Sequence, residues 1–219
     1  MSDSHGRHLA VRAVVGLFDK LGVSHIIHCG DVGGVEVFDE LVGRPLTFVW
    51  GNTDLPAGGL LSYLHEVDLP VPNGAPARID LDGKRFAVFH GHEPGFGAAI
   101  GTLDVDYILH GHSHVARDET IRGRRIINPG ALHRARRKSV ATLDTATDEL
   151  TFHKLPGAYN ISRFRVPSRA LARGAQLSCG PQLARATSPR LMLPKDRRSR
   201  DPNRENALLL RHALFNRWD

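Results

Sequence analysis

Apolar residues recur at a helical period from His8 to Leu21, at Leu9, Val11, Val14, Val15, Phe18 and Leu21, and Gly22 ends the run. His25-Ile26-Ile27-His28-Cys29 then reads as a short buried strand running into Gly30-Asp31. Val35 to Val42 predicts a second short helix. Leu46 to Trp50 predicts a second buried strand, which stops at Gly51-Asn52-Thr53-Asp54. Residues 55–76 are rich in proline and glycine and read as a loop, with one helical turn near Leu60–Leu64.

Further on, Ala77–Leu81, the turn Asp82-Gly83 and Lys84–Phe89 form a hairpin pattern whose second arm ends at His90-Gly91-His92. A helix is expected over Phe96–Leu103 and a short strand over Asp106–Leu109, ending at Gly111-His112-Ser113-His114. Strand patterns follow at Glu119–Ile121, Arg125–Ile127, Ser139–Leu143 and Glu149–His153. Strands that first alternate with helices and then give way to hairpins predict a layered α/β sandwich with sheets at its centre.

From Pro156 the periodicity fails. The stretch is rich in arginine, serine and proline, and only Asn206 to Trp218 has the pattern of a short amphipathic helix. Composition therefore divides the chain into a body, residues 1–155, and a basic tail, residues 156–219, expected to be mostly disordered. Charge makes the same division. The formal net charge is +6, but residues 1–155 carry 16 Lys+Arg against 19 Asp+Glu, and residues 156–219 carry 13 against 4. The basicity belongs to the tail, which offers an anionic partner only salt-sensitive, non-specific attraction. Of the 13 histidines, 12 precede residue 156. The chemistry belongs to the body.

Two cysteines, Cys29 and Cys179, are too few for a disulfide framework or a four-cysteine zinc site. No apolar run approaches the roughly 20 residues that span a bilayer, and a cytoplasmic location with no membrane partner is the expectation. The oligomeric state is left open.

Metal-competent residues follow the ends of successive strands. They are Asp3-Ser4-His5, Gly30-Asp31, Gly51-Asn52, His90-Gly91-His92 and Gly111-His112-Ser113-His114. Carboxyl ends of neighbouring strands open on one crevice, so groups far apart in sequence can converge there. Carboxylate, amide carbonyl and imidazole without thiolate suit first-row dications. Seven ligands exceed one ion's needs and fit two ions sharing a carboxylate.

In this order the motifs D-x-H, GD, GN, H and GHxH resemble the calcineurin-like metallophosphoesterase family. HGH and the later Ile127–Ala131 (INPGA) resemble its small bacterial and archaeal phosphodiesterase branch, over about residues 2–155. The resemblance implies an αββα sandwich acting on a small phosphodiester. It implies that Asp3, His5 and His114 hold one divalent ion and that Asn52, His90 and His112 hold the other, with Asp31 bridging. Mn²⁺ is the first choice, with Ni²⁺, Co²⁺, Fe²⁺ and Zn²⁺ as alternatives. A hydroxide between such ions can attack phosphorus in line, and Asp31, Asn52 and His90 would then carry the catalysis.

The chain departs from the family pattern twice. Only Met1-Ser2 precede Asp3, where a buried apolar strand is usual, so the first strand reads as truncated, Asp3 and His5 should be poorly positioned, and the natural reading frame is expected to continue upstream. Thr53 stands where many relatives carry a histidine that protonates the leaving group. His92 and Asp54 are left open between supporting the site and standing by. His8, His25, His28, His65, His110, His133 and His153 read as structural, and Arg134, Arg136, Arg137 and Lys138 as a solvated charge run. A non-catalytic scaffold shares this fold, but it has lost histidine and asparagine positions that this chain keeps.

Overall fold

The computed structural model describes residues 1–155. The tail, including the helix expected at Asn206–Trp218, lies outside the described residues. The described elements run α1 (His8–Leu21), β1 (Ile26–His28), α2 (Val35–Asp39), β2 (Leu46–Phe48), α3 (Gly58–Glu66), β3 (Ala77–Leu81) and β4 (Lys84–Val88). They continue with α4 (Phe96–Thr102), β5 (Tyr107–Leu109), β6 (Arg117–Ile121), β7 (Arg124–Asn128), β8 (Ser139–Asp144) and β9 (Glu149–Lys154).

The protein is a mixed α/β fold. β1 and β2 pair in parallel, a five-stranded sheet has the order β3-β4-β5-β7-β6, and β8 and β9 form an antiparallel pair. Parallel pairing of β4, β5 and β7 puts Ala87, Ile108 and Ile126 in register, and these pack with Ala99 of α4. Residues on the opposite face, such as Phe86, Tyr107 and Ile127, meet Leu143 of β8 and Leu150 of β9. Val88 and Leu109 lie against Ile27, Cys29 and Val49 of the β1–β2 side. The largest cluster joins α1, α2 and α3 to β1 and β2 through Val14, Leu17, Phe38, Phe48 and Leu64. The order of layers is therefore helices, strands, strands, helix, as the sequence led us to expect.

Two expectations change. Residues 58–66, read as loop with a single turn, form a nine-residue helix. Gly58 and Gly59 in its first turn mask the pattern, but Leu64 is fully buried and Leu60 and Tyr63 pack against the main core. Tertiary burial, more than propensity, decides short helices of this kind. The second change concerns the start. Asp3 is not left loose, because Met1 to Asp3 hydrogen-bond alongside β1. The Met1 amine donates to Ile27 O (2.8 Å), Cys29 N to Met1 O (3.0 Å) and Asp3 N to Gly30 O (3.0 Å). On the other side Leu132 N donates to Ser2 O (3.2 Å) and His133 N to Asp3 O (3.0 Å). Met1, Ser2 and Asp3 are thus hydrogen-bonded from both sides, which holds Asp3 in place. A groove of about 920 Å³ continues from Met1 between Ile26 and Ile27 of β1 and Ala141 and Leu143 of β8.

Candidate metal centre

The loops after β1, β2, β4 and β5 and the Asp3–His5 segment meet at one end of the sheets. Asp3, His5, Asp31 and His114 offer ligand atoms that all lie within 4.8 Å of one another. Asp31 Oδ2 is 3.5 Å from His5 Nε2 and 3.4 Å from His90 Nε2. His114 Nε2 is 3.1 Å from Asp3 Oδ1, and His90 Nε2 is 3.0 Å from Asn52 Oδ1. The His112 ring packs 5.1 Å from that of His90. All seven residues singled out in the sequence are thus brought to one place.

The donor set fits cations. His90 Nδ1–H donates to Cys29 O at 2.7 Å, because a carbonyl only accepts. In the neutral ring Nε2 then carries a lone pair that faces the oxygens of Asn52 and Asp31, and this grouping is repulsive unless a proton or a metal ion lies among them. Asp3 Oδ1 and His5 Nε2 are likewise buried with no hydrogen-bond partner. A buried polar atom without a partner is costly, and convergent ones mark a ligand.

The titration behaviour agrees. Burial works against charge on Asp31, but hydrogen bonds from His90 and Thr53 overcome it and hold the carboxyl well below the usual range. Burial also opposes a proton on His90, and Asp31 outweighs it and raises the ring above its ordinary value. At His5 burial wins over Asp31 and Asp3, and the imidazole is pushed towards its neutral form. At Asp31 and His90 the site thus favours positive charge beside the carboxylate, whereas the neutral His5 ring keeps a lone pair to offer.

Close backbone approach needs glycine twice. A Cβ on Gly51 would clash with the Asp31 carboxylate and backbone, and one on Gly111 would strike Ser2 Oγ. Asp54, left open by the sequence, accepts backbone N–H bonds from Val32 (3.1 Å), Gly33 (3.0 Å) and Gly51 (2.8 Å), which locks the loops after β1 and β2 together. Glu93, not singled out in the sequence, accepts from His90 N (2.8 Å) and Gly91 N (2.6 Å). Asn128 donates to Gly111 O (2.8 Å) and Ser113 Oγ (3.1 Å), so the Ile127–Ala131 loop does brace the site. His28 is fully buried against Ser4 Oγ (2.9 Å), a packing role as expected. Spacing alone could have flagged Glu93, two residues beyond Gly91, but a carboxylate bonding backbone leaves no periodic signature. His133 lies nearer the site than expected, its ring 5.6 Å from that of His5.

Residues 1–148 match the calcineurin-like phosphoesterase superfamily domain. The chain belongs to that superfamily. Among curated superfamily relatives, phosphodiesterase MJ0936 of Methanocaldococcus jannaschii is 26% identical over 133 residues, 59% of this chain and 80% of that protein. The probable metallophosphoesterase YsnB of Bacillus subtilis is 30% identical over 166 residues, 69% of this chain and 85% of that one. A solved archaeal phosphodiesterase superimposes with a TM-score of 0.64 at 25% identity, covering 71% of this chain and 97% of its own. The Escherichia coli phosphoesterase Yfce shares the fold, with a TM-score of 0.54 at 20% identity, covering 76% and 94%. No helix among the described residues of this superfamily member is long and apolar enough to cross a membrane.

Proposed function

We propose that this calcineurin-like phosphoesterase is a dinuclear metal-dependent phosphodiesterase acting on small diesters. One observation carries the reading: Asp31 Oδ2 faces His5 Nε2 at 3.5 Å and His90 Nε2 at 3.4 Å, so a single oxygen serves two ligand groups. In this reading Asp3, His5 and His114 hold one ion, and Asn52, His90 and His112 hold the other. Asp31 would serve both. Mn²⁺ is the first choice, and Ni²⁺, Co²⁺, Fe²⁺ and Zn²⁺ suit the same donors. When bound, such a pair supplies Lewis acidity and lowers the pKa of water towards about 7.

The chain's own residues then have defined parts. Cys29 O fixes the His90 tautomer through Nδ1–H, so that Nε2 stays a donor to the cation. Thr53 N–H holds Asp31 Oδ1 at 2.9 Å and leaves Oδ2 for sharing. Thr53 supplies no readily lost proton, so the departing oxygen leaves unassisted. Diesters with acidic leaving groups are therefore the favoured substrates.

Elemental analysis together with hydrolysis of bis(p-nitrophenyl) phosphate tests this. The expected result is two ions per chain and metal-dependent turnover that Asp31→Asn and His112→Ala each abolish while the fold persists. Wild-type turnover by metal-loaded Asp31→Asn would overturn the mechanism.

A further inference from the structure

A diester bound at the centre has two arms: one leaves, and the other must rest on the protein. A cavity of about 650 Å³, within the range of small-molecule sites, opens beside His112. Gly91 and Gly111 line its inner end, and Phe96, Val115 and Ala116 add apolar walls. The Val115 side chain is 65% exposed and so is open to a ligand.

His110 also lines this cavity. It is only 5% exposed, and the Phe96 ring packs 4.9 Å from it at 49°. Its Nδ1 lies 3.1 Å from Gly111 O, whereas Nε2 is buried with no partner among the described residues. The His110 ring thus closes the cavity wall beside Phe96, with its Nε2 enclosed by protein.

The rim decides what kind of ligand fits. Arg117 is paired with Glu119 (2.8 Å), and Asp118 with Arg125 (2.8 and 2.9 Å), so the charges at the mouth answer one another. A second phosphate would find no uncommitted cation there and two carboxylates nearby. A neutral flat ring would instead lie against Phe96 and the Val115 side chain, with an edge towards His110.

We infer that this cavity is the subsite for one ester arm of the substrate, and that this arm carries a neutral aromatic or heteroaromatic ring. The inference rests on the phosphodiesterase reading and narrows its substrate class. Aromatic packing of this kind corresponds to roughly a 3–10-fold change in binding.

Two diesters with the same leaving group separate the arms: bis(p-nitrophenyl) phosphate and methyl p-nitrophenyl phosphate. Phe96→Ala and Val115→Asp should raise KM for the first by roughly 3–10-fold and leave KM for the second unchanged. Equal shifts for both diesters, or none for either, would overturn the subsite. Should Phe96→Ala lose its fold by circular dichroism, Val115→Asp, at an exposed position, decides alone. Calorimetry on Mn²⁺-loaded protein with phenyl methylphosphonate and dimethyl phosphate asks the same question without turnover. Tighter binding of the phenyl compound, weakened by Val115→Asp, supports the subsite even if no diester is hydrolysed, an outcome that would sink only the phosphodiesterase reading. Equal affinity would sink the subsite.

Discussion

Five of the seven candidate ligands have left-handed backbone: Asp3 (φ 53°), His5 (43°), Asp31 (54°), His112 (65°) and His114 (58°). For a residue with a Cβ this conformation costs roughly 1–2 kcal/mol. Five such residues together hold strain comparable with the net stability of a domain, about 5–15 kcal/mol. His112 allows a clean test, because its side chain is exposed and its backbone N–H is tied to Asp3 Oδ2 at 3.2 Å. His112→Ala removes the ligand and keeps the strain, and His112→Gly removes both. Glycine recovers about 1–2 kcal/mol of strain and returns about 0.4–1 kcal/mol through its freer unfolded chain. The net gain over alanine is about 1 kcal/mol, or about 2–4 °C in a domain of this size. Calorimetric melting in excess chelator should therefore rank His112→Gly above His112→Ala, with both inactive. A glycine variant that melts at or below the alanine variant would refute the strain argument.

Four further outcomes are expected. Asp54→Ala leaves three backbone N–H groups without their acceptor and should cost a few kcal/mol, together with loss of metal in elemental analysis; unchanged metal content and urea midpoint would dismiss its locking role. Thr53→His should speed diesters with poor leaving groups more than those with good ones, read from the slope of log kcat/KM against leaving-group pKa, and an unchanged slope would count against the absent proton donor. A chain ending at residue 155 should keep its kcat/KM on a small diester within a few-fold, whereas aggregation or a large loss would give the tail a structural part. Burial brings His110 down to about 4 and His28 well below its ordinary value, so above pH 6.5 both are neutral folded and unfolded. Between pH 6.5 and about 4 the unfolded chain binds the extra protons and stability falls with pH; a flat urea midpoint over that window, in metal-free protein, would contradict this.

The fold was legible where burial follows a simple period. α1 and the β3–β4 hairpin stand where Leu9–Leu21 and the Asp82-Gly83 turn put them. α3 was not, because two glycines and flanking prolines speak for loop while only Leu64 speaks for burial. Among the candidate ligands, Asp31, Asn52, His90 and His112 stand out in the sequence because each follows a strand end beside a glycine. Their supports do not. Glu93 bonds His90 and Gly91 of its own loop and leaves no hydrophobic period, and Asp54 acts on backbone N–H groups of the loop after β1, a meeting that no spacing along the chain encodes. The grip on Asp3 was hidden for the same reason: it depends on Ile27, Cys29 and Leu132, which are distant in sequence.

Four of the candidate ligands come from two of the three described sheets. Asp31 and Asn52 follow β1 and β2, whereas His90 and His112 follow β4 and β5 of the five-stranded sheet. Between the layers, Cys29, Val49 and Val88 make only a small apolar contact. An ion shared by Asp31 and His90, as in the function proposed above, would therefore work as a cross-link, tying two separately hydrogen-bonded sheets as a disulfide ties two distant stretches of chain. Its mark would be kinetic: the sheets could not part until the ion let go, and the lifetime of the folded protein would follow the rate of metal release.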